Sequence, residues 1–133
     1  MFPCRSIIEL AVGSGQFAVG AFEDLEVWQR AARLSAELYK ELQGLKDYGF
    51  RDQITRAGLS VASNIAEGME RATAADKRRF LVIAKGSCGE LRTQSYIGID
   101  IGYINREVGM RWIQETREMS AMLVGLIRSL NRR

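Results

Sequence analysis

Gln53-Ile54-Thr55-Arg56-Ala57-Gly58-Leu59-Ser60-Val61-Ala62-Ser63-Asn64-Ile65-Ala66-Glu67-Gly68 reads, at alternating steps of four and three, as two adjacent stripes along one helix. Ile54, Gly58, Val61, Ile65 and Gly68 make an ordinary packing seam. Gln53, Ala57, Ser60, Asn64 and Glu67 beside it are small or polar at every step. If both stripes meet other helices, amide, hydroxyl and carboxylate groups enter a helical core. Glycine inside a helix costs up to ~1 kcal/mol against alanine, so Gly58 and Gly68 on the apolar stripe imply that a neighbouring helix comes close.

The same stepping extends outward in both directions. Upstream, Leu25, Trp28, Ala32, Ser35, Tyr39 and Leu42 predict a helix over 24–43 with Asp24 as N-cap, ended by Gly44 and the Lys46-Asp47-Tyr48-Gly49 turn. The opening stretch lies in a second helix over 50–70. Thr73-Ala74-Ala75-Asp76 offers a cap for a third. In that third helix Phe80, Ile83, Ser87, Glu90, Gln94, Ile97, Ile101 and Ile104 form the longest unbroken pattern, beside a stripe of Leu81, Ala84, Cys88, Leu91, Ser95 and Gly98. Asn105 caps a fourth helix with Trp112, Thr116, Met119, Leu123, Leu126 and Leu130 on one face. Four amphipathic helices joined by short loops predict an all-α, antiparallel up-and-down four-helix bundle.

Residues 1–21 hold the single proline, Pro3, and several glycines without a sustained period, so a flexible N-terminal extension is expected before a bundle domain over 22–133. A chain of 133 residues suffices for one core that buries roughly two thirds of the unfolded surface. Its apolar runs fall short of the about 20 residues needed to span a bilayer, and its start is a poor match to a secretory signal. A cytoplasmic protein with no membrane partner is expected. Histidine is absent, which removes the commonest metal ligand and general base. Cys4 and Cys88 are expected to be free thiols.

Phe22-x-x-Leu25-x-Val27-Trp28-Gln29, Gln53-Ile54-x-Arg56-Ala57, Ser60-Val61-x-Ser63-Asn64-Ile65-Ala66-Glu67-Gly68 and Phe80-Leu81-x-Ile83-Ala84-Lys85-Gly86-Ser87-x-x-Glu90-Leu91 together resemble the 23S rRNA intervening-sequence protein family of bacterial four-helix bundles. The likeness runs from about residue 22 to the C-terminus. It implies an up-and-down bundle that assembles into a ring-like homopentamer; no enzymatic activity is established for the family, and neither catalysis nor a cofactor is expected here. A related branch, the accessory variability determinants of diversity-generating retroelements, works beside a reverse transcriptase and binds nucleic acid through a basic surface. The partners implied are therefore further copies of the chain, RNA or DNA, and a reverse transcriptase or other protein. The first twenty residues have no counterpart at the family's usual start, and Arg92 and Ser95 stand where an acidic and an apolar residue are more typical.

Two sets of residues invite a functional reading. Gln53, Ser60, Asn64 and Glu67, with Ser87, Glu90 and Gln94, are expected to form one buried polar network that fixes register or oligomer state. The competing reading, a metal or acid–base site on Glu67 and Glu90, lacks histidines and enough inward acids. Glu67 stands near a helix C-terminus, where the dipole disfavours an anion unless a base such as Arg71 answers it. Lys85-Gly86-Ser87 lacks the upstream glycine and strand of a phosphate loop. The second set is basic. Residues 1–45 carry four basic and six acidic side chains, whereas 46–133 carry fifteen and ten. Arg71, Lys77, Arg78 and Arg79 cluster at one helix junction, with Lys85 and Arg92 beyond, and repetition around a ring would widen that patch into a phosphate-binding surface. The leading expectation is a weak, sequence-nonspecific RNA- or DNA-binding oligomeric adaptor. The alternative is a protein-binding scaffold that touches no nucleic acid.

Overall fold

The computed structural model describes residues 6–13 and 21–131. A short helix, α1 (Ile7–Gly13), precedes a 3-10 turn at Phe22–Asp24 and four long helices: α2 (Glu26–Glu41), α3 (Tyr48–Met69), α4 (Ala74–Asp100) and α5 (Arg106–Asn131). At 27 residues, α4 is about 40 Å long. The loops between the long helices are short, so neighbours run antiparallel. Each long helix packs on its neighbours in sequence and α2 closes the square against α5, while the diagonal pairs stay apart. The chain is an all-α, up-and-down four-helix bundle.

Local chemistry sets the ends of the helices. Asp47 caps α3 by accepting from the Phe50 N–H at 3.1 Å, and Thr73 caps α4 from Asp76 at 3.1 Å. The Asn105 carboxamide oxygen accepts from the Glu107 and Val108 N–H groups at the start of α5. Asp24 does not cap α2; it lies in the 3-10 turn, and Leu25 takes the cap position without a side-chain bond. The end of α4 is a Schellman turn. Tyr103 N–H donates to Gly98 O, Gly102 N–H donates to Ile99 O, and Gly102 supplies the left-handed residue at φ 81°.

The core follows the first stripe of α3: Ile54, Gly58, Val61, Ile65 and Gly68 are all buried. A methyl at Gly58 would overlap Leu38 Cδ1 of α2, and one at Gly68 would stand 3.0 Å from Phe80 Cβ and 3.2 Å from Lys77 O. Both glycines therefore mark close helix approach. From α5, Trp112, Thr116, Met119, Leu123 and Leu130 enter the same core. Two helices differ from their predicted setting. Along α2 the predicted Ala32, Ser35 and Leu42 are buried, but so are Val27, Ala31, Leu34 and Leu38 beside them, while Trp28 is half-buried and Tyr39 49% exposed. In α4 the buried line is Leu81, Ala84, Cys88, Leu91, Ser95 and Gly98. The longer isoleucine-bearing pattern beside it is exposed at Ile83, Glu90, Ile97 and Ile101, half-buried at Phe80, Ser87 and Gln94, and buried at Ile104.

Most of the predicted N-terminal extension lies outside the described residues. Within it, Ile7–Gly13 is helical where no regular element is predicted. Ile8 packs against the core cluster, and this contact with the bundle accompanies the helix.

Candidate functional site

The polar stripes of α3 and α4 meet along one outer seam, and only its centre closes. Ser60 Oγ and Ser87 Oγ share a hydrogen bond of 2.9 Å, and Asn64 Nδ2 donates to Ser60 O at 2.8 Å and to Ser60 Oγ at 2.9 Å. These are the residues of the predicted network that the structure joins. Two short hydroxyl side chains bring the helices close enough there. Gln53, Glu67 and Glu90 are exposed, because their positions on the helices rotate away from the partner, so they belong to no buried network. Arg71, just past the end of α3, answers Glu67 at 2.5 Å. Gln94 is half-buried, and its Oε1 atom finds no partner among the described residues. No group of three or more His, Cys, Asp or Glu among the described residues is placed to hold a metal ion.

Immediately outside this seam α4 exposes apolar side chains at helical spacing. Ile83 is 46%, Ile97 47% and Ile101 52% exposed, with Val82 beside them. They share one face with Ser87, Glu90 and Gln94. The pattern is apolar at both ends and polar in the middle.

Of the predicted basic residues, Arg71, Lys77 and Arg79 gather at the α3–α4 junction and the others lie along α4. Arg71 and Arg79 flank the Phe80 ring, with guanidinium carbons 4.7 and 5.1 Å from its centroid. Lys77 donates to Met69 O at 2.8 Å and so closes the C-terminal end of α3. Arg78, Lys85 and Arg92 recur every seven residues on the side of α4 that turns toward α5. Arg92 is half-buried there and donates to Thr116 Oγ1 at 3.0 Å and Ser120 Oγ at 3.1 Å. Lys85 is exposed and Arg78 half-buried. Beneath them Cys88 is buried, which pushes its thiol up to about 11.

The α2–α5 side holds charged groups that sequence reading passed over. Arg30 donates to both Glu115 oxygens and to Glu118 at 2.6 Å. These bonds, Glu115 foremost, raise the Arg30 pKa further, and Arg30 and Gln114 lower that of Glu118. Glu37 accepts from Arg111 and from the indole N–H of the fully buried Trp112. At the opposite corner Tyr103 donates to Asp47 at 2.9 Å. The Phe50 N–H and then Tyr103 hold the Asp47 carboxyl below its usual range, and Asp47 raises Tyr103. The pairs on α2 and α5 lie more than seventy residues apart in sequence, so no local spacing signals them.

A four-helix bundle with a hydroxyl-bridged seam and an apolar stripe left outside it defines a structural class. Residues 23–125 match the 23S rRNA-intervening sequence proteins, and the chain belongs to that family. Among solved structures it is similar to a protein of unknown function from the S23 ribosomal protein family of Bacteroides thetaiotaomicron VPI-5482. The two are 26% identical and superpose with a TM-score of 0.71, covering 76% of this chain and 97% of that one. No curated protein matches this chain. No described helix is long and apolar enough to cross a membrane.

Proposed function

We propose that this chain is a non-catalytic bundle that associates with copies of itself and serves as an adaptor, touching RNA or DNA weakly and without sequence preference. The observation that carries the reading is the exposed stripe of Ile83, Ile97 and Ile101 on α4. Apolar residues at steps of three and four on an outer helix face suit another helix, and the polar middle would fix its register. A second copy is the occupant, and the family resemblance suggests a ring of five. Arg78, Arg79 and Lys85 are the side chains left to meet phosphates.

Light scattering tests the association. The wild-type chain is expected to give a multiple of the monomer mass, and Ile97→Asp with Ile101→Asp is expected to give the monomer with unchanged helicity. A wild-type monomer at micromolar concentration refutes the proposal. Titration with single-stranded and duplex RNA at two salt concentrations tests the nucleic-acid contact, which should weaken steeply with salt and with Arg78→Ala and Lys85→Ala. One observation favours a protein-binding scaffold instead: Lys77 and Arg92 are occupied within the bundle, and Arg71 is paired with Glu67. No affinity for RNA or DNA at low salt, with self-association intact, selects the scaffold.

A further inference from the structure

On the α2–α3 side lies a groove of about 450 Å³, walled by Trp28, Tyr39 and Leu59 and floored by Ala32, Ala62 and Ala66. Its lining is mainly apolar, and the polar side-chain groups on it are those of Ser35, Ser63, Tyr39 and the Trp28 indole. Small residues on both helices let another backbone come near, and the aromatic walls offer broad contact area. Helix α1 lies along its α2 edge and leaves that volume open. Ile8 of α1 lines the groove and packs on the core cluster, while Val12, one turn on, is half-buried. The fit is partial, since Ile7 is 76% and Leu10 39% exposed. Helix α1 also lies ahead of residues 23–125, the part shared with the family, so it is an addition to the bundle.

We propose that the α2–α3 groove is a docking site for a short amphipathic helix presenting branched aliphatic residues at i and i+4, and that α1, at its edge, is its partial occupant in cis. A seven-residue helix falls well below the about 12–15 residues at which isolated helices become even marginal in water. Its helicity therefore depends on the groove, and detachment unwinds it. The tether supplies a local concentration on the order of millimolar, enough to exclude a weak competitor and to yield to a stronger helix of the same pattern. The groove is distinct from the outer α4 stripe, and the inference stands whether or not the chain self-associates or binds nucleic acid.

The test uses the full chain and a fluorescent peptide spanning residues 5–14. Ile8→Asp releases α1 from the edge of the groove, and Ile7→Asp, at an already exposed position, is the control. The peptide is expected to bind the Ile8→Asp chain roughly tenfold or more tightly than the wild type or the Ile7→Asp chain, a ratio set by tethered competition. Adding Leu59→Asp, at a half-exposed rim position, is expected to abolish that binding, and far-UV circular dichroism confirms that the bundle persists. Emission of Trp28 should shift to the red in Ile8→Asp and return when peptide binds, while Trp112, fully buried, stays unchanged. Equal affinity for wild type and Ile8→Asp, no binding to Ile8→Asp, or binding insensitive to Leu59→Asp each overturns the proposal.

Discussion

Replacing Gly58 by alanine probes how closely α2 and α3 are held. The added methyl would overlap Leu38 Cδ1 and come within 3.8 Å of Ser35 Cα, and Leu38 is fully buried. Helix propensity favours alanine by up to ~1 kcal/mol, whereas forcing a methyl into a filled core costs about 1–3 kcal/mol. Gly58→Ala alone should therefore destabilise by roughly 0–2 kcal/mol. Leu38→Ala alone should cost about 2–5 kcal/mol through lost burial and the cavity left behind. In the double variant the methyl at position 58 enters the space Leu38 has vacated, so the clash disappears and the propensity gain remains. The combined loss should fall short of the sum of the single losses by about 1–3 kcal/mol. Urea unfolding followed by far-UV circular dichroism measures all four chains, at one protein concentration so that any self-association contributes alike. Single losses that add to within about 0.5 kcal/mol would refute the close approach.

Glu37→Ala should cost about 1–3 kcal/mol by stranding the buried Trp112 N–H, and Glu37→Gln should recover most of it by keeping an acceptor; equal losses in urea unfolding contradict the bond. The acid limb of stability follows from Asp47 and Glu118, whose folded pKa values are depressed. Their contribution is complete above the ordinary carboxylate range and is lost as pH falls through the folded values, so Asp47→Asn should flatten the decline measured by acid unfolding. Tyr103 is raised, so its contribution is present below the ordinary tyrosine value and is lost as pH rises through the folded one; Tyr103→Phe should flatten the alkaline limb. With Cys4 replaced by serine, Cys88 should react with a thiol reagent only at the rate of bundle opening, because it is buried with its thiol raised to about 11. Prompt labelling of the native chain would place that thiol at the surface.

The number and order of the four long helices and most of their boundaries were legible because Gly58, Val61 and Ile65, like Trp112, Met119 and Leu123, recur at the spacing of one buried face; α1 was not. Rotation was harder to read. On α4 two neighbouring stripes repeat with the same steps, and periodicity says that each lies on one face without saying which face turns inward. The isoleucines at positions 83, 97 and 101 suggested burial, yet the small residues Ala84, Ser95 and Gly98 are what let α4 approach its neighbours. On α2 the buried face is wider than the predicted line, taking in Val27, Ala31 and Leu34 beside Ala32 and Ser35. Of the polar network, Ser60, Asn64 and Ser87 come together because short side chains suit a closed seam. Glu67 and Glu90 stay in water, where a lone carboxylate needs no buried partner. Arg92 illustrates what a linear pattern cannot hold, since its partners sit on a different helix.

The four sides of the bundle are unequal. Backbones pack densely between α3 and α4 and between α4 and α5, but sparsely between α2 and α5, where Arg30 and Glu37 reach across to charged partners that remain partly wet. Wet ion pairs contribute little and fade as ionic strength rises. Thermal breathing should therefore begin along that side, with the first long helix swinging away while the remaining three hold together. Amide protons of Glu26–Glu41 would then exchange with solvent deuterium sooner than those in the middle of Ala74–Asp100, and the difference would widen with added salt.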